Sequence, residues 1–283
     1  MIVPTAAVLL ACLLACGALA QDAEPDSDAP AVATPSAERK PHPPLVIGDE
    51  TIGVIRKHQV GSIILPDGKP PFPAVIVLHG CNGVARETRI WARRFADWGY
   101  AALILDSFSD RGLAQVCDGS RAFPGYERAK DVFAAAAYLR SRADIDGARL
   151  AVFGYSHGGW TALNASIEKR ATEAGQPPFR AVVALYPFCP VKVAPPLASD
   201  VQIFIGDADD WAKPDNCKVF VDKYAADAPH RPSLLVYPGA RHSFDSNLPD
   251  RMFYGHRLTF DPKATDDAIA RIRTFFAEQL RAK

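Results

Sequence analysis

The sequence predicts an α/β fold, a mostly parallel twisted sheet with helices on both faces. Three observations predict it. Six short runs rich in Val, Ile, Leu and Ala occur at 74–80, 101–108, 149–156, 181–188, 201–207 and 233–239. Their apolar residues are continuous rather than alternating, the mark of strands buried on both faces. Helical patterns separate most of them, and strands alternating with helices form parallel sheets joined by crossovers. The 283 residues leave room for one large domain with a full core.

The elements follow in order. Residues 6–20 form an apolar stretch too short to span a bilayer comfortably, ending in the small-x-small pattern Ala18-Leu19-Ala20. It is read as a secretory signal peptide over 1–20, cleaved after Ala20. Leu13-Leu14-Ala15-Cys16 also resembles a bacterial lipobox, and that alternative places a lipid anchor on Cys16. Residues 21–44 are rich in Pro, Ala and acids without a periodic apolar face, the composition of a disordered tether. The domain is expected over 45–283. Residues 51–72 read as an antiparallel pair turning at Pro66-Asp67-Gly68. Helices are expected in 86–99, where Ile90, Arg94 and Trp98 form one row beside Trp91 and Phe95, and in the Ala-rich run 126–142. Further helices are expected in 160–174, in 214–228 with Pro214 in the first turn, and in 264–283.

In an open parallel sheet, ligands bind beyond the carboxyl ends of the strands. The run at 149–156 carries into Gly154-Tyr155-Ser156-His157-Gly158, followed by Gly159. G-x-S-x-G between strand and helix is a nucleophile elbow, in which glycines remove the Cβ atoms that a strained turn cannot hold. A serine needs a base, and on such a scaffold an acid and then a histidine follow it in the chain. His242, after the last strand, is the expected base. Asp209, after the run at 201–207, is the expected acid, with Asp210 second; the remaining acids of that loop are expected to cap the helix near Pro214. The oxyanion donors are expected to be the backbone N–H groups of His157 and Cys81, the latter in His79-Gly80-Cys81-Asn82-Gly83. His79 is read as a structural hydrogen-bonder beneath the site. Trp160 and Trp211, beside the elbow and the acid loop, are candidate pocket walls and equally candidates for core packing.

Composition narrows the function. The formal net charge is zero, with 32 basic and 32 acidic residues, which provides no electrostatic footprint for nucleic acid. Cys81, Cys117, Cys189 and Cys217 lie in the domain. An even count in an exported chain indicates two disulfides, with three connectivities open. No CxxC or clustered His pattern supports a metal site.

Taken together, "VIVLHGCNGV", "LDSFSDRG", "FGYSHGG", "GDADDW" and "YPGARHSFD" resemble the dienelactone hydrolase family of α/β-hydrolases, from about Thr51 to the C-terminus. The resemblance implies a single α/β-hydrolase domain that cleaves esters or lactones of small molecules without a cofactor. The family's namesakes use a cysteine nucleophile controlled by a glutamate; here Ser156 stands at the nucleophile position and Gly80 at the glutamate's, so an ordinary serine mechanism is expected. Namesake arginines bind a substrate carboxylate, a role for which Arg111 and Arg241 are the candidates. Comparison with the family also orders the cysteines, giving the pairs Cys81–Cys117 and Cys189–Cys217. The competing readings are a serine peptidase of the same fold, which no preceding repeat domain supports, and a non-catalytic binding domain with a vestigial site.

Overall fold

The computed structural model describes residues 60–119 and 122–282. The leader and tether read at 1–44, the Cys16 alternative and the domain boundary near Leu45 lie outside the described residues. Seven strands form one sheet in the order β1-β3-β2-β4-β5-β6-β7. They are β1 (Val60–Ile64), β2 (Phe72–Leu78), β3 (Ala101–Leu105), β4 (Ile145–Tyr155), β5 (Ala181–Leu185), β6 (Asp200–Gly206) and β7 (Ser233–Tyr237). All neighbours pair parallel except β1, which runs antiparallel to β3. All six sequence runs are therefore strands of one sheet. The antiparallel pair expected around Pro66 is corrected. Asp67 and Gly68 sit in a bend that leads into β2, and β1 takes its hydrogen bonds from β3, two strands away in the chain.

Every residue of β3 and β5 is buried, so both faces of the sheet are covered. The covering helices are α1 (Arg86–Asp97), α2 (Gly125–Ser141), α3 (His157–Ala165), α4 (Glu168–Glu173), α5 (Pro214–Asp222) and α6 (Pro262–Gln279). On α1 the row that enters the core is Trp91 and Phe95, whereas Ile90 is exposed. Phe95 meets Phe276 of α6 at 5.5 Å between ring centroids. The single helix expected over 160–174 breaks into α3 and α4, because Ile167 is extended and forms a β-bridge with Leu197.

Beyond the sheet, β8 (Arg251–Phe253) and β9 (His256–Leu258) form a hairpin that the sequence reading did not anticipate. Its turn is Tyr254-Gly255, both at positive φ, as a tight two-residue hairpin requires. Cys81–Cys117 and Cys189–Cys217 are disulfide-bonded, the connectivity expected from the family comparison. No helix among the described residues is long and apolar enough to cross a membrane.

Candidate active site

The parallel register aligns the carboxyl ends of the strands. Leu78 pairs with Gly154, Tyr155 with Leu185, and Gly206 with Tyr237. The loops after β2, β4, β6 and β7 thus leave one edge of the sheet, and these loops carry Cys81, Ser156, Asp209 and His242.

Ser156 occupies the turn between β4 and α3 at φ 54°, ψ −121°, a conformation that L-residues avoid. The glycines around it are there for space. A Cβ on Gly154 would lie 2.2 Å from the Gly158 carbonyl oxygen, and one on Gly158 would lie 2.3 Å from that of Leu78. The Ser156 N–H is tied to the Leu185 carbonyl at 2.9 Å, which holds the elbow against β5.

From this turn the Ser156 hydroxyl donates to His242 Nε2 at 2.9 Å. His242 Nδ1 lies 2.8 Å from Asp209 Oδ2. An ionised carboxylate only accepts hydrogen bonds, so Nδ1 carries the proton and Nε2 has its lone pair free for the serine. Asp209 is itself fixed, with Oδ1 accepting from the N–H groups of Trp211 (2.9 Å) and Ala212 (2.8 Å). Burial pushes its carboxyl up, but His242 and the backbone donors outweigh burial and the net shift is downward. Asp209 is therefore the acid facing His242. Asp210 turns outward to His256 Nδ1 at 3.3 Å. The expected capping of α5 is corrected: Asp207 accepts from the Gly239 N–H, and the residue before Pro214, Lys213, makes no side-chain cap.

The α3 N-terminus begins at His157, so its N–H and the positive end of the helix dipole stand beside the serine. Across the site, Cys81 sits in the loop after β2. Neither the Cys81 nor the His157 N–H has an acceptor among the described residues. His79 is fully buried, with Nδ1 donating to the Gly80 carbonyl at 2.7 Å and Nε2 accepting from the Ser107 N–H at 3.4 Å.

A cavity of about 250 Å³ opens on Ser156 and His242, bounded by Cys81, Tyr186, Trp211, Arg251, Phe253 and Leu258. Trp211 is thus a pocket wall. Trp160 is not: it packs against Phe188 and Tyr126 at 5.4 and 6.3 Å, away from the cavity. The expectation for Arg111 is corrected. Its guanidinium makes a fork with both oxygens of Asp131 (3.0 and 2.9 Å) and reaches the Ser107 carbonyl, in a buried position outside the cavity lining. Arg241 is half-buried and directs Nη1 to the Ala208 carbonyl at 3.4 Å, outside the cavity lining. The guanidinium that does line the cavity is Arg251, on β8, and no carboxylate among the described residues pairs with it. The sequence reading also missed Tyr186. Its ring lies 4.7 Å from the His242 ring, its φ is 35°, and its hydroxyl donates to the buried Asp245 at 2.6 Å.

Residues 60–280 match the model of the dienelactone hydrolase family. The chain belongs to that family. Among curated relatives, one from Methylorubrum extorquens, named provisionally as a carboxymethylenebutenolidase, is 25% identical over 76% of this chain and 75% of its own. One from a Bradyrhizobium species, named as a probable 2-oxo-3-(5-oxofuran-2-ylidene)propanoate lactonase, is 26% identical over 70% of this chain and 84% of its own. Among solved structures, a provisionally named dienelactone hydrolase from Klebsiella pneumoniae superposes with a TM-score of 0.61 at 21% identity, covering 75% of this chain and 89% of that one. At that identity the structural likeness speaks for the fold.

Proposed function

We propose that this dienelactone hydrolase family member is a serine hydrolase that cleaves carboxylic esters or lactones through an acyl-enzyme. The observation that carries the proposal is the unbroken hydrogen-bond chain from Ser156 to His242 to Asp209, opening on a cavity at the strand ends. His242 Nε2 takes the Ser156 proton as Oγ attacks the carbonyl carbon. The carbonyl oxygen becomes an oxyanion facing the Cys81 and His157 N–H groups. Collapse expels the alkoxide, which receives the proton from His242, and the acyl group stays on Ser156. Water, deprotonated by His242, then releases the acid and restores the serine. The names of the curated lactone-cleaving relatives support lactones beside open esters as substrates. A cavity of about 250 Å³ suits a small acyl group. The two disulfides support action in an oxidising compartment, periplasmic or extracellular. Cleavage after Ala20 or lipidation of Cys16 would each deliver it there, and the mass of the mature N-terminus separates the two.

The test is hydrolysis of p-nitrophenyl esters of increasing chain length, and of a five-membered enol lactone, by the wild type and by Ser156→Ala. The expected result is turnover that favours short acyl groups and falls at least about a thousandfold in the variant. Equal rates for the two proteins would overturn the reading.

A further inference from the structure

Helix α2 is Ala-rich, yet it carries a cation into the core. Arg128 is fully buried. Its Nη1 donates to the His79 carbonyl oxygen at 2.8 Å and to His157 Nδ1 at 3.1 Å. Its guanidinium carbon stands 5.1 Å from the centre of the Phe108 ring. Nε and Nη2 are buried without a hydrogen-bond partner among the described residues. Asp131, three residues further along α2, gives both carboxylate oxygens to Arg111 rather than to Arg128.

The two acceptors of Nη1 belong to the two segments that hold the oxyanion donors. His79 precedes Cys81 by two residues, and His157 supplies its own N–H. These segments already approach as closely as backbone allows, since a Cβ on Gly158 would lie 2.6 Å from the His79 carbonyl oxygen. Arginine can only donate, so His157 Nδ1 accepts and its proton resides on Nε2, which donates to the Phe123 carbonyl at 2.9 Å. Burial, reinforced by the Arg128 charge, holds the His157 pKa down to about 3, and the ring stays neutral. A buried cation with two idle nitrogens is a poor way to stabilise a fold, because an apolar side chain would fill the same space without desolvating a charge.

We propose that Arg128 is a positioning residue for the oxyanion hole, its Nη1 clamping the loop after β2 to the start of α3 so that the Cys81 and His157 amides face one point. The inference rests on the assignment of those two amides as the oxyanion donors. Such donors act by standing in place before charge develops, and a misplacement of about 1 Å costs on the order of a hundredfold in rate. The cation behind them also adds positive potential that a tetrahedral oxyanion feels more strongly than a neutral ester does.

The test compares wild type, Arg128→Met and Arg128→Lys for ester kinetics and for inhibition by an alkyl trifluoromethyl ketone, which adds to serine as a hemiketal oxyanion. The methyl ketone of equal length serves as a ligand without that charge. For Arg128→Met, kcat and trifluoromethyl ketone affinity are expected to fall together, by about a hundredfold. KM and methyl ketone affinity should stay within about threefold. Arg128→Lys should fall between, because an ammonium is a point charge that cannot reproduce the planar fork. A folded Arg128→Met with unchanged kcat overturns the proposal, as does an equal loss for both ketones. Failure of both variants to fold assigns Arg128 to the core and also overturns it. Ser156→Ala run in parallel separates the two levels. Activity that survives in Ser156→Ala sinks the serine hydrolase reading itself, whereas Ser156-dependent activity indifferent to Arg128 sinks only the clamp.

Discussion

The floor and the roof of the cavity are built from opposite materials. Beneath the serine, His79 and Arg128 have no exposed surface and His157 has 5%. Arg111 and Asp131 form a closed fork, and the Cys81–Cys117 bond ties the first donor loop down. Over the mouth, the β8–β9 hairpin leaves Met252 and Tyr254 at 64% and 47% exposure. It is held by the stack of His256 on Trp211 at 4.6 Å, by the His256–Asp210 contact, and by one bridge from Leu258 to His242. Exposed polar contacts of this kind contribute roughly 0–1 kcal/mol each, whereas losing a partner in a buried network strands a desolvated charge. Rate should therefore belong to the floor and substrate choice to the roof.

The largest break in that contrast should come from Asp209→Asn. The amide would present an N–H to His242 Nδ1 and favour the wrong tautomer, so kcat should fall about 10³–10⁴-fold with KM little changed, as steady-state kinetics would show. Cys81→Ser combined with Cys117→Ser releases a link spanning 36 residues. Urea unfolding should then show about 3–4 kcal/mol lost, and kcat should drop more than KM rises. A smaller effect should follow pH. His157 stays neutral in the fold down to about 3 while its unfolded value is 6.5, and His79 is likewise held well below 6.5, mainly by burial. Below 6.5 the unfolded chain binds protons that the native state refuses, so stability should decline as pH falls from 6.5 towards 3. His157 accounts for roughly 2 kcal/mol by pH 5 and His79 acts in the same direction, and His157→Gln should flatten the profile in urea titrations at stepped pH. Smallest should be the roof: Arg251→Gln should raise KM about tenfold for an ester bearing a carboxylate. A neutral ester of the same size should be unaffected in both KM and kcat.

Legibility in the sequence follows the same division. The strands could be read because burial on both faces leaves continuous apolar runs, and the elbow because its crowding demands glycine at Gly154 and Gly158. Asp209 and His242 could be read because chain order on a parallel sheet places them. What escaped depends on partners distant in the chain. Arg111 looked available until Asp131, 20 residues on, took its fork. Arg128, on the Ala-rich α2, finds the two acceptors of its Nη1 49 and 29 residues away in the chain, at the His79 carbonyl and His157 Nδ1. The hairpin strands have three residues each, too few for any period to register. Trp160 sits one helical turn beyond the serine, where neighbourhood in sequence imitates neighbourhood in the pocket.

The disulfides close loops that are consecutive along the chain, the first complete at Cys117 before the second begins at Cys189. Each of these bonds joins a cysteine to the next one along the described chain, so neither loop encloses or crosses the other, and each bond can form or break without threading the chain through its counterpart.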